Sequence, residues 1–360
     1  MQQPSLFTPD QVPRPLAMLA AQKDIIYLGT RVRGVLNPPE ATGMPFWSIN
    51  PYVGCAFGCA YCYARYAHRY AMERAADADA LDPALRPGAA ALPPWLAFER
   101  RILVKENAAD ALRRALRRPT PRQARLLAGD TVLIGTATDP YQPAERRFRL
   151  TRGVLEALAE HEKLSVVIIT KSPLVTRDVD VLARLARRSR LSVHISLITI
   201  DRELARRLEP RAPTPEARLR AIARLREAAI DVGVNVMPVL PGITDNPAAL
   251  DALVRQVAEA GATHVNACAL RLRAAARDRY LPFVAEAFPE LEGRYREAYG
   301  RGHTVGDRYR EGLRTFFERL CRRHGVPFGH TDSGDDEDEA EDAASMPAAA
   351  APDPQLGLAL

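Results

Sequence analysis

The sequence predicts an α/β protein: a curved parallel sheet or incomplete (β/α) barrel of about six strands, with C-terminal helices and a disordered acidic tail. Three features point there. Short β-branched runs alternate with helical patterns through the middle of the chain. Most of the runs are apolar on both parities, as strands buried on both faces of a parallel sheet are. Helical stretches follow most of them, giving a βα unit about six times.

In chain order, residues 1–22 read as a loose N-terminus without the basic start and apolar run of a signal peptide. The core spans 23–270. Its strand candidates are WSINPYVG (47–54), TVLIGT (131–136), LSVVIIT (164–170), LSVHISL (191–197), DVGVNVMPVL (231–240) and THVNACAL (263–270). The intervening helices include RFRLTRGVLEALAEH, VTRDVDVLARLARR, PEARLRAIARLREAA and AALDALVRQVAEA. In the third, Leu219, Ile222, Leu225 and Ala229 share one face. The proline-punctuated stretch Ala71–Leu103 reads as an insertion that covers the sheet's C-terminal mouth as a lid. Residues 271–330 read as a helical extension, and the low-complexity tail 331–360 as disordered.

The net charge of +6 understates how basic the body is, because DSGDDEDEAED (332–342) carries eight acidic residues. Without it the chain is at about +14, nearly all arginine. That balance is compatible with nucleic acid as a partner without establishing one. No apolar stretch is long enough to span a bilayer, so a cytoplasmic protein with no membrane partner is expected. In a reducing compartment, clustered cysteines point to a metal or redox site before a disulfide.

Three of the five cysteines, Cys55, Cys59 and Cys62, fall in CAFGCAYC immediately after the first strand candidate. Functional groups of (β/α) barrels gather at strand C-terminal ends, so this is where a site belongs. Structural zinc sites are closed by four protein ligands, whereas a cubane cluster given three thiolates keeps one iron open. The zinc alternative, a nucleic-acid-binding module without catalysis, would need His68, Cys268, Cys321 or His330 as fourth ligand. Polar residues mark the next strand ends too: Thr138 and Asp139 in ATDPYQPAE, Lys171 and Ser172 in TKSP, and Ser196 in HISLITID. Lys171 is one of only four lysines, and its compact charge suits a carboxylate or ribose oxygen in a tight pocket.

C-x3-C-x2-C with Tyr61 before the last cysteine resembles the radical SAM superfamily. The stretches CAYCY, GTATDPYQPAE, TKSPLVTRD, HISLITID followed by LEPRAP, and MPVLPGITD narrow the resemblance to its spore-photoproduct-lyase-like, or "DNA repair photolyase", branch. The resemblance covers roughly Asn50 to Leu270. It implies a partial, TIM-like (β/α)6 barrel and a [4Fe–4S] cluster on Cys55, Cys59 and Cys62. The open iron takes S-adenosylmethionine (SAM), which one electron from a flavodoxin- or ferredoxin-type donor cleaves to a 5′-deoxyadenosyl radical that abstracts hydrogen from substrate. Thr138, Asp139, Lys171 and Ser196 match cofactor-binding positions, with Arg211 a candidate for the methionine carboxylate or a partner of Glu209. Tyr61 and Tyr63 match tyrosines of the lyases' radical relay. Where the lyases carry a hydrogen-donating cysteine this sequence has Thr136, whose O–H is too strong for that role. Cys268 is the candidate substitute, and the implied enzyme is not a photoproduct lyase itself.

Overall fold

The computed structural model describes residues 17–65, 92, 94–300 and 302–329. Its strands are β1 (Ala17–Gln22), β2 (Ile25–Thr30), β3 (Leu36–Asn37), β4 (Trp47–Ile49), β5 (Tyr52–Val53), β6 (Arg101–Lys105), β7 (Thr131–Ile134), β8 (Ser165–Thr170), β9 (Arg190–Ser196), β10 (Asp231–Val239) and β11 (His264–Ala269). Strands β4, β7, β8, β9, β10 and β11 lie side by side in that order, each parallel to the next. Strand β3 adds antiparallel to β4 at one edge. Each of the six runs read from the sequence overlaps one of these parallel strands, with β9 starting one residue earlier at Arg190. Helices follow them, as in Leu150–Leu158 before β8, Val179–Ala186 before β9, Pro215–Glu227 before β10 and Pro247–Glu259 before β11. Thr214 and Asn246 cap the last two, each with proline at the helix start.

Strand alternation divides the sheet. Val193, Ile195, Val232, Val234 and Val236 join Ile222, Leu225 and Leu253 in the main core, so that parity faces the helices. Ser192, His194, Ser196 and Asn235 have the opposite parity and are buried against the other face. A second core packs the cysteine loop, through Phe57, Ala60 and Tyr61, onto residues just beyond or at strand ends: Ala137, Ile198, Leu240 and Ala269. The extension's Tyr280, Tyr295 and Tyr299 close it from outside.

Four expectations need correction. Ala17–Gln22 is not part of a loose terminus; it pairs antiparallel with β2 in a second sheet of order β1-β2-β6-β5. The first strand run divides at Asn50–Pro51, with Trp47–Ile49 in the large sheet and Tyr52–Val53 on β6. Proline has no N–H for the ladder, and the Asn50 side chain turns the chain by accepting from Ala137 N at 2.9 Å. Within the supposed lid, Pro94–Arg100 is a helix and its end runs into Arg101–Lys105, a strand of the second sheet; its part at 71–91 and residue 93 lie outside the described residues. The helix Pro215–Glu227 stops short of Ala229, which has φ +57°, and Arg218 is among the residues it buries. The tail 331–360, His68 and His330 also fall outside the described residues. Among the described residues no helix is long and apolar enough to cross a membrane.

Candidate active site

Beyond β5 the chain turns through Gly54 (φ +84°) and Gly58 (φ +67°), left-handed conformations that favour glycine. Between and after them come Cys55, Cys59 and Cys62, the first two buried and the third partly so. Their thiols sense one another's charge in all three pairings. Burial pushes the Cys55 thiol up to about 12 and raises the other two as well. Buried thiols so placed become thiolates only with a compensating cation, which a metal supplies.

The loop is held from two sides. On the sheet side, Thr138 Oγ1 donates to Gly54 O at 2.6 Å, and Gln142 spans Gly54 O at 3.0 Å and Ala56 N at 2.9 Å. On the other, Cys55 N donates to Phe98 O at 2.9 Å and Ala60 N to Leu208 O at 2.9 Å. Arg65 Nη2 reaches Cys59 O at 2.5 Å and Arg211 Nε reaches Ala56 O at 2.6 Å.

Next to the cysteines lies a buried charge group centred on Glu209. Tyr61 and Arg218 both donate to its carboxylate, and Lys171 Nζ lies 3.5 Å away. Burial alone would raise the Glu209 pKa, but Arg218 and Lys171 overcome it and bring it to about 2. Burial likewise opposes the Lys171 ammonium, yet Glu209 and Cys59 hold its pKa above the usual value. Lys171 Nζ also stands 5.7 Å from the centre of the Tyr61 ring. Arg218 continues to Ser196 O at 3.0 Å, tying the group to the end of β9.

The structure therefore brings Cys55, Cys59, Cys62, Tyr61, Lys171 and Glu209 together and gives other sequence candidates different surroundings. Thr138 is engaged with the loop backbone. Asp139 joins strand ends, accepting from Tyr141 N at 2.9 Å, Thr170 Oγ1 at 2.7 Å and Lys171 N at 2.7 Å. Arg211 pairs with Glu99 at 2.9 Å and Glu209 with Arg218, so the alternative of a Glu209–Arg211 pair does not form. Ser196 is buried beside Asn235 on β10. Tyr63 is half-exposed and donates to the Thr136 carbonyl. Cys268 is the second-last residue of β11 and partly exposed.

Sequence reasoning missed Gln142, Glu99, Arg65 and Arg218. Only Arg218 left a signal: at helical spacing it shares the stripe of Ile222 and Leu225, a charge on an apolar face. Of the fourth ligands a zinc site would need, His68 and His330 lie outside the described residues, and Cys321 belongs to the main core instead. A four-iron cluster takes each thiolate on a separate iron, and Cys55, Cys59 and Cys62 supply three from one loop.

Residues 49–254, more than half of the chain, match the Radical SAM superfamily. The chain belongs to the radical SAM superfamily. An uncharacterized protein of Mycobacterium tuberculosis (strain H37Rv) is 39% identical over 293 residues, 81% of this chain and 78% of the relative. An uncharacterized protein of Methanocaldococcus jannaschii is 27% identical over 213 residues, 58% of this chain and 66% of the relative. Among solved structures, spore photoproduct lyase complexed with dinucleoside spore photoproduct superposes with a TM-score of 0.54 at 14% identity, over 84% of this chain and 81% of the lyase. At that identity the likeness is one of fold. For a radical SAM protein, Cys55, Cys59 and Cys62 are residues that could hold a cluster.

Proposed function

We propose that this chain is a radical SAM enzyme whose sheet curls into a partial (β/α)6 barrel. Cys55, Cys59 and Cys62 hold a [4Fe–4S] cluster, and SAM takes the remaining iron. What supports this above all is one loop that packs three neighbouring cysteines, two buried and one partly buried, against residues at the strand ends. Cluster and SAM together supply one chemistry, the one-electron cleavage of SAM to methionine and a 5′-deoxyadenosyl radical.

This chain's residues bind, orient and keep out water. Lys171 takes the SAM carboxylate: its 3.5 Å pairing with Glu209 is loose enough to be shared, and it lies on the Cys59 side. Ser196, at the end of β9, is the polar contact for the sugar. Thr138, Asp139 and Arg211 act through the loop and strand ends, and Tyr61 anchors the loop on Glu209. Tyr63 is the hydrogen carrier, since its hydroxyl lies against Thr136, where the related lyases have a cysteine. Cys268 is the second hydrogen donor to test. The substrate to try first is nucleic acid, the polyanion the basic body is compatible with.

The test is anaerobic reconstitution with iron and sulfide, reduction with dithionite, and chromatography of 5′-deoxyadenosine formed from SAM. A brown protein that releases deoxyadenosine, and a Cys62→Ala variant that does not, is the expected result. A colourless protein that leaves SAM intact overturns the reading.

A further inference from the structure

Glu99 plays no part in the chemistry above, yet it is 4% exposed and surrounded by arginines. It lies in the last turn of the helix Pro94–Arg100. Its Oε2 accepts from Arg211 Nη2 at 2.9 Å, its Oε1 is 2.7 Å from Arg65 Nη2, and Arg279 Nε stands 3.9 Å away. Arg65 is fully buried. Both near arginines pass the contact on to the cysteine loop, Arg65 to the carbonyl of Cys59 and Arg211 to that of Ala56. The loop is shaped to let them in: a Cβ on Gly58 would lie 2.7 Å from both Arg211 Nη2 and Glu99 Oε2. The neighbouring residue adds a backbone tie, Phe98 O accepting from Cys55 N.

We infer that Glu99 is a positioning residue for the cluster, acting through Arg65 and Arg211. The inference rests on the cluster reading of the three cysteines. An arginine on a loop carbonyl fixes that stretch of backbone and with it the cysteines it carries, and a buried guanidinium keeps its orientation only beside a counter-charge. Glu99 supplies that counter-charge. It also offsets cations that would otherwise favour the more negative, reduced cluster, so it keeps the reduction potential low. Low potential is what an electron donor to a sulfonium needs.

The experiment compares wild type with Glu99→Gln, which keeps the side-chain shape and removes the charge. Both are reconstituted anaerobically and titrated potentiometrically, with the reduced cluster followed by electron paramagnetic resonance and iron release followed with a chelator. Expected for Glu99→Gln is a reduced-to-oxidised ratio about tenfold higher at a fixed potential, equivalent to about 59 mV for one electron. Iron release is several-fold faster. Arg211→Lys, which keeps charge and loses the fork, speeds iron release with the potential little changed, and it carries the test if Glu99→Gln fails to fold. The surface variant Glu160→Gln changes neither. A wild type that forms a cluster beside a Glu99→Gln with the same potential and iron retention overturns this inference alone. A wild type that takes up no cluster overturns it together with the functional reading beneath it.

Discussion

Replacing Glu209 with glutamine measures how far the charge group beside the cysteines stabilises the fold. The wild-type carboxylate is buried and its pKa is about 2 against an ordinary 4.5. At about 1.4 kcal/mol per unit, that difference corresponds to about 3 kcal/mol at neutral pH. Removing one partner of a buried pair costs about 3–5 kcal/mol, because Arg218 and Lys171 then remain as buried cations. The expected loss at pH 7 is therefore about 3–5 kcal/mol, read from urea denaturation of the metal-free, reduced protein by circular dichroism. The pH dependence carries a definite sign. A depressed carboxylate pKa contributes stability above the unfolded value and loses it as pH falls through the folded one. The gap between wild type and Glu209→Gln is thus full at neutral pH and narrows from about pH 5 toward about pH 2. The double variant Glu209→Gln/Arg218→Met regains part of the loss, since an apolar side chain in Arg218's place needs no counter-charge. A Glu209→Gln protein within about 1 kcal/mol of wild type, or a gap independent of pH, refutes the reasoning.

Two further perturbations probe the scaffold. Lys105, at the end of β6, is buried and desolvation alone brings its pKa down to about 8, so Lys105→Met is expected to stabilise the protein by about 2–3 kcal/mol at pH 7. That gain shrinks as pH rises from about 8 to 10, where the wild-type lysine becomes neutral when folded; equal urea midpoints at pH 7 would count against it. Gly233→Ala would place a Cβ 2.2 Å from His264 Nε2, which stands 3.2 Å from His194 Nε2. Displacing that ring is expected to cost about 1–3 kcal/mol in the same denaturation assay, and an unchanged stability would show that the ring can move aside.

The parallel sheet was legible in the sequence because each strand announces itself locally. Val166, Ile168, Val193, Ile195, Val232 and Val234 are β-branched residues in short apolar runs, and the runs of β8 and β9 carry Thr170 and Ser196 at their C-terminal side. The second sheet was not legible. Strand β2 pairs parallel with β6, Ile26 opposite Arg101 and Thr30 opposite Lys105, across some seventy residues of chain. Nothing in IIYLGT or RILVK names the other. The position of Glu99 was hidden for the same reason. It is one acid in WLAFERRILVK, and its meaning comes from Arg65 and Arg211, which the fold brings to it.

The site shows a related limit, and backbone accounting explains it. A buried loop must satisfy its own N–H and C=O groups. Between Gly54 and Ala60 these go to Thr138 and Gln142 (Gly54 O), Phe98 O (Cys55 N), Gln142 (Ala56 N), Arg211 (Ala56 O and Phe57 O), Arg65 (Cys59 O) and Leu208 O (Ala60 N). Two of the residues that motif matching offers to the cofactor, Thr138 and Arg211, are thereby committed to the loop. Lys171 is not, because the group that holds it is a side-chain carboxylate already shared with Tyr61 and Arg218. Sequence can name the residues at a strand end. Which of them serves the ligand and which serves the loop follows only from where the loop's polar backbone atoms find their partners, and that depends on contacts made by chain as distant as Glu99 and Leu208.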